Sequence, residues 1–161
     1  MADKTREEAI RKIGALISQV HVAMLTTTSS RGWLRSRPMV GQRLPFDGAL
    51  WFLTSRTAAK AGDIRDRRQV NVSYASPDRD CYVSIAGMAA LVDDRERVTA
   101  LWTAALEPWF PKGVDDPDLV AICVEAEEAE YWDPATKKMV QVSELHQPRP
   151  VFHDVEPGAG Y

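Results

Sequence analysis

Apolar positions along the first third of the chain pass from a helical to a strand-like period, and that change marks the elements. From Thr5 to Val20, Ala9, Ile10, Ile13, Leu16, Ile17 and Val20 recur every three or four residues, with Arg6, Glu7, Glu8, Arg11 and Lys12 opposite them. This is the pattern of an amphipathic helix, with Asp3 or Thr5 as its cap. His21–Thr28 is short, rich in β-branched residues and stops at Ser29-Ser30-Arg31-Gly32, so it reads as a strand and a turn. Trp33–Gln42 follows as a second strand, with Arg35 and Arg37 on one face and Leu34, Ser36 and Pro38 on the other. Pro38 cannot donate to a ladder and marks an edge, a bulge or the opening of a barrel.

Beyond the Asp47-Gly48 turn, Ala49–Ser55 is a third strand and Ala58–Arg68 a short helix with Ala59, Gly62 and Ile64 inward. Val70–Ala75 is a fourth strand, and Cys81–Val92 a long fifth, bent at Gly87. Asp94–Leu106 returns to helical spacing, Glu107–Asp118 is a loop rich in proline, and Leu119–Trp132 is a sixth strand that Lys137–Val142 could extend. From Ser143 onward the prolines and glycines leave little to bury. The reading is therefore one domain over residues 1–142 and an extended tail over 143–161. Six short strands without a βαβ rhythm predict a mainly β protein, an antiparallel sheet closed or nearly closed into a small barrel. A doubly wound parallel fold is the weaker alternative.

Composition narrows the class. The chain has 161 residues, 45% apolar and 27% charged, which suits one ordinary core. No apolar run reaches the length of a membrane helix, and MADKTREEAI carries acidic charge where a secretory signal has its apolar centre, so a cytoplasmic protein is expected. Cys81 and Cys123 read as buried free thiols. A net charge of −3 offers no general attraction to nucleic acid, and any phosphate has to be held locally.

The candidate for that local site is Thr54-Ser55-Arg56-Thr57-Ala58-Ala59-Lys60, three hydroxyls and two cations where a strand passes into a helix. Free N–H groups at a helix start and charge-assisted donors suit a phosphate monoester. A capped helix with solvated Arg56 and Lys60 explains the same residues. Arg35 and Arg37 could reach the same place from the preceding strand, or be ordinary surface arginines. Trp51, Phe52, Trp102, Trp109 and Tyr131-Trp132 read first as core, although a tryptophan at a strand end or loop can flank a flat ring. His21, His146 and His153 lack metal-ligand spacing, and no metal is expected. No glycine-rich phosphate loop or GxSxG elbow occurs.

The order of these motifs is more specific than any one of them. A helix, an MLTT-like strand, RSRPM, LWFLTS, a lysine-bearing helix, CYVSIAGMAALVDDRERVTALW, WFPKGVDDPDL and EAEYWD together resemble the pyridoxamine-phosphate-oxidase-like FMN-binding split barrels, and within them the general stress protein branch. The resemblance covers about Arg6 to Val142. It implies a homodimer of six-stranded antiparallel Greek-key barrels with FMN at the subunit interface, while the charge balance and the lack of long apolar runs point to no nucleic-acid or membrane partner. By position, it implies that Arg35, Ser36, Arg37, Pro38 and Met39 contact the flavin ring and ribityl chain. Phe52, Thr54 and Ser55 would then lie along the flavin, with Lys60 on the phosphate. Tyr82 stands where the oxidases have a cofactor-binding glutamine, and Trp132 matches a tryptophan that reaches the flavin. Trp109 could cover the ring from the long loop, a placement outside any matched motif. Where oxidases carry an RLHDR-type substrate motif this chain reads DPATKKMVQVSELHQ, so pyridoxamine phosphate oxidation is not expected. The implied function is a flavin-dependent oxidoreductase of unknown substrate. Its rivals are a non-catalytic flavin-storing stress protein and a split barrel that uses haem or F420.

Overall fold

A computed structural model describes residues 6–41, 44–146 and 151–155, the last group as backbone. Eight strands form one antiparallel sheet: β1 (Val22–Thr28), β2 (Leu34–Val40), β3 (Ala49–Ser55), β4 (Gln69–Ser76), β5 (Cys81–Val92), β6 (Leu119–Asp133), β7 (Lys138–Ser143) and β8 (Val151–Val155). They are ordered β2-β1-β4-β5-β6-β7-β8, with β3 also paired to β6. The fold is therefore mainly β, and the parallel alternative falls away.

The length of β6 organises this sheet. At 15 residues it takes β5 along one edge, while its other edge carries β3 over Leu119–Glu125 and then β7 over Ala129–Asp133. The expected count of six strands rises to eight because the chain folds back at Lys137, which has φ 56°, to lay β7 on the end of β6, and β8 then pairs with β7. Part of the segment read as a tail is thus sheet, while residues 147–150 and 156–161 lie outside the described residues. The barrel is split. Among the described strands β2 pairs only with β1, which makes the Pro38 strand an edge.

Inner faces of the strands supply the main core, including Leu25, Leu50, Phe52, Val72, Ile85 and Ile122, and α1 (Arg6–Ile17) covers it with Ala9, Ile13 and Ile17. The proposed caps of α1, Asp3 and Thr5, lie outside the described residues. A second cluster on the outer face of β3 joins Leu53, Leu119 and Ala121 to Val98 and Leu101 of α3 (Arg95–Leu101). That two-sided burial is why Ala49–Ser55 reads as a continuous apolar run. The helix expected over Asp94–Leu106 stops at Leu101. Trp102 turns extended, its ring meeting Phe110 edge-on with 6.5 Å between centroids, and a 3₁₀ turn occupies Ala104–Leu106. Cys81 is buried and Cys123 only half-buried, and both are free thiols.

Gly87 marks the bend in β5. The β5–β6 register shifts between Ala86 and Gly87, and a Cβ at Gly87 would run into the backbone carbonyl of Glu125. Gly87→Ala is therefore expected to destabilise the fold by about 1–3 kcal/mol, read from urea unfolding midpoints.

Candidate functional site

One buried carboxylate gathers the expected arginines. Asp63, on α2 (Ala59–Asp66), is 7% exposed. Arg35 Nη2 donates to both of its oxygens, at 2.9 and 2.7 Å, and Thr27 Oγ1 donates to Oδ2 at 2.8 Å. Arg37 Nη2 lies 3.8 Å from the same oxygen, and its Nη1 donates to Thr27 Oγ1 at 2.7 Å and to the Leu25 carbonyl at 3.3 Å. Alternation along β1 and β2 makes this possible, because Thr27, Arg35 and Arg37 all face α2. Burial alone would push the Asp63 carboxyl up. The hydrogen bonds from Arg35 and Thr27 and the charges of both arginines outweigh it and hold the group below its usual range.

Lys60 stands one helical turn before Asp63 and is half-buried, with no hydrogen bond or ion pair among the described residues. Burial, and then the neighbouring Arg37 charge, push its ammonium down. Burial likewise lowers Arg37, which nonetheless stays charged. Three cations thus share one carboxylate, leaving a surplus of two positive charges at this end of β2. That donor set fits a phosphate, and Lys60 is the group with bonds to give.

The rest of the Thr54–Lys60 segment is committed elsewhere. Ser55 Oγ bonds Thr57 Oγ1 at 2.9 Å and donates to Asp118 Oδ2. Arg56 donates to the Pro117 carbonyl and pairs with Asp93 at 3.1 Å. Neither hydroxyl caps α2, whose N-cap is Ala58 without a side-chain bond. The inward face of α2 also differs from the apolar spacing. Ala61, Asp63 and Ile64 are buried while Ala59 is exposed, because the bond between Asp63 and the arginines sets the helix's rotation. Sequence reasoning missed Asp63, although an acidic residue three positions after a lysine on a helix beside an RSR strand was the available signal.

The other expected residues divide between two faces of the sheet. Met39, Phe52 and Thr54 are buried on the inner side. Ser36 and Pro38 are on the outer face of β2, where Ser36 Oγ meets Thr26 Oγ1 at 2.6 Å. Tyr82 and Trp132 belong to β5 and β6, and the Trp132 indole donates to Asp80 at 3.1 Å. Trp109 is exposed in the loop beyond α3, beside the Phe110 that packs on Trp102. Around that Thr26–Ser36 pair, the outer face of β1 and β2 carries exposed apolar side chains. Val22 opposes Val40 and Met24 opposes Pro38, with Leu34 at 74% exposure beyond them.

An open antiparallel barrel with a phosphate-compatible cation cluster beside its edge strand β2 is a split barrel. The chain belongs to the pyridoxamine 5'-phosphate oxidase-like family, whose model matches residues 8–148. It is similar to protein bli-3 of Neurospora crassa, 26% identical over 135 residues, covering 78% of this chain and 65% of that protein. General stress protein 26 of Bacillus subtilis is 30% identical over 92 residues, covering 55% of this chain and 65% of that one. The matches thus span 65% of the length of either curated relative. Among solved structures, the general stress FMN/FAD binding protein from Xanthomonas citri aligns with a TM-score of 0.66 at 26% identity, covering 78% of this chain and 89% of its own.

Asp63→Asn is expected to cost about 2–3 kcal/mol, less than a fully enclosed pair because the Arg35 side chain is 44% exposed. The depressed Asp63 carboxyl contributes stability that is present above its unfolded value near 4 and lost as pH falls through the lower folded value. The gap in unfolding free energy between wild type and Asp63→Asn should therefore be full at neutral pH and shrink below about pH 4.

Proposed function

We propose that this chain is a cytoplasmic, homodimeric FMN-binding protein of the general-stress type that works as a flavin-dependent oxidoreductase. The observation that carries the reading is Lys60, half-buried and without an ion-pair partner among the described residues, beside Arg37 in a cluster whose one described carboxylate leaves two positive charges over. A phosphate monoester answers that excess as no neutral ligand can. Support for a flavin comes from the Xanthomonas citri relative, described as FMN/FAD binding.

In this reading Lys60 takes the phosphate. Arg35 and Arg37, pinned by Asp63 and Thr27, offer planar forks to the ribityl chain and the ring edge together with Ser36, Pro38 and Met39. Phe52, Thr54 and Ser55 lie along the cofactor, and Tyr82, Trp109 and Trp132 border it. The bound flavin supplies hydride or electron transfer, and the chain supplies position and charge. A second copy is proposed to cover the apolar outer face of β1 and β2, since exposed contiguous apolar surface of this kind marks an interface.

A second reading, flavin binding without turnover, is favoured by the state of Asp63. Its oxygens already accept from Arg35 and Thr27, so the cluster's one carboxylate is not free to act as a base.

The purified protein is expected to show the visible spectrum of oxidised flavin and to bleach anaerobically with NAD(P)H or a coupled reductase. A flavin that no donor bleaches would select the storage reading, and a haem or deazaflavin spectrum would reject both. Lys60→Ala is expected to raise the dissociation constant for FMN at least about tenfold, near 1.4 kcal/mol, in titrations of the flavin-free protein. Leu34→Glu, which places charge on the outer face, is expected to give monomers in sedimentation velocity and to lower flavin content with them.

A further inference from the structure

A cavity of about 670 Å3 lies between α1 and the end of the sheet where β1 begins and β2 finishes. None of Arg35, Arg37, Lys60 and Asp63 lines it. Its volume falls in the range of small-molecule sites, and its walls are largely apolar, with Ile10 and Ile17 from α1 facing Val20, Val40 and Phe46.

Two polar features make it more than a packing gap. Tyr74, on β4, lines it and is 4% exposed, and its hydroxyl has no hydrogen-bond partner among the described residues. No buried side-chain oxygen among the described residues is left without a partner, so this hydroxyl is the part of Tyr74 that opens into the cavity, a donor available to whatever occupies it. Burial alone acts on that hydroxyl and raises its pKa, so it remains protonated and able to donate at neutral pH. At the rim stand Arg11 and His21, both exposed and both without a partner among the described residues. An apolar wall, a lone donor in the interior and a cation at the entrance define the complement of an amphipathic acid.

We propose that this cavity binds a small organic carboxylate with an apolar body and a second, hydrogen-bond-accepting oxygen. The carboxylate meets Arg11 and His21 at the rim, the body lies against Ile10, Ile17, Val20 and Phe46, and the second oxygen accepts from Tyr74. The site is independent of the flavin reading, since it uses none of the same side chains. It gives the fold a place for a small-molecule effector or substrate apart from the cation cluster.

The probe is 4-benzoylbenzoate, which carries a carboxylate, two rings and a ketone oxygen; 4-benzylbenzoate, lacking the ketone, is its control. Calorimetric titration of the full chain, with any flavin it carries, is expected to give one site per chain. Tyr74→Phe removes only the hydroxyl and should weaken 4-benzoylbenzoate about fivefold while leaving 4-benzylbenzoate unchanged. Arg11→Glu should weaken both at least about tenfold. Gly14 also lines the cavity, and a Cβ there would lie 3.5 Å from Phe46 Cβ, so Gly14→Leu fills the space and should abolish binding. Leucine favours the helix over glycine, and an unchanged circular dichroism spectrum separates blockage from misfolding. The flavin absorbance of the same samples should stay constant through the titration.

Absence of saturable binding to the wild type would overturn the proposal. So would a folded Gly14→Leu protein that binds as well as wild type, equal weakening of both ligands by Tyr74→Phe, or stoichiometric release of flavin by the probe. A protein without flavin that still binds 4-benzoylbenzoate in the expected pattern would support this site while refuting the flavin reading.

Discussion

A carboxylate that is 7% exposed has to be met by charge and hydrogen bonds, and the way this chain meets that requirement at Asp63 fixes its candidate site. Arg35 and Thr27 bond the carboxylate directly, and Arg37 is held through Thr27 and the Leu25 carbonyl. Three elements, β1, β2 and α2, are thereby locked into one arrangement. The rotation of α2 that buries Asp63 also brings Lys60, three residues earlier, to the same side. Since Asp63 is engaged by the two arginines, Lys60 is left without a counter-charge among the described residues. The proposed anion site would arise from an excess of positive charge around a structural ion pair, with no need of a glycine-rich loop or a capped helix start.

The sheet explains why this cluster is accessible. A strand as long as β6 can carry β3 and β7 in succession along one edge, so the barrel remains split and β2 stays at its edge, paired among the described strands with β1 alone. The outer face of that hairpin exposes Val22, Met24, Leu34 and Val40 around the Thr26–Ser36 pair, apolar surface that an isolated subunit would leave in water. Cation cluster and apolar face therefore occur on the same pair of strands, and a dimer formed there would place a ligand beside both.

Much of the fold was legible because its periods are clean. Ala49–Ser55 and Cys81–Val92 have the bounds expected from turn signals and apolar runs, and the bend at Gly87 coincides with a register shift. The eight-residue α2 was harder, since two turns hold too few apolar positions to fix a face, and an ion pair to residues 28 positions away decided it. The hydroxyls of Ser55 and Thr57 looked like phosphate ligands for a similar reason. The Asp118 that engages Ser55 is 63 residues distant, beyond the reach of local pattern. Family membership was legible in the order of motifs, while the charge balance that makes Lys60 distinctive depends on Asp63 and appears only in three dimensions.

The claim on which the account turns is that the surplus charge around Lys60 is there for a phosphate. Comparing the affinities of the flavin-free protein for FMN and for riboflavin, which differ only in that group, tests it directly. The account predicts binding of FMN at least about a hundredfold tighter, a difference of some 2.8 kcal/mol that Lys60→Ala largely removes. Equal affinity for the two flavins, or a preference for FMN that survives loss of Lys60, would contradict it.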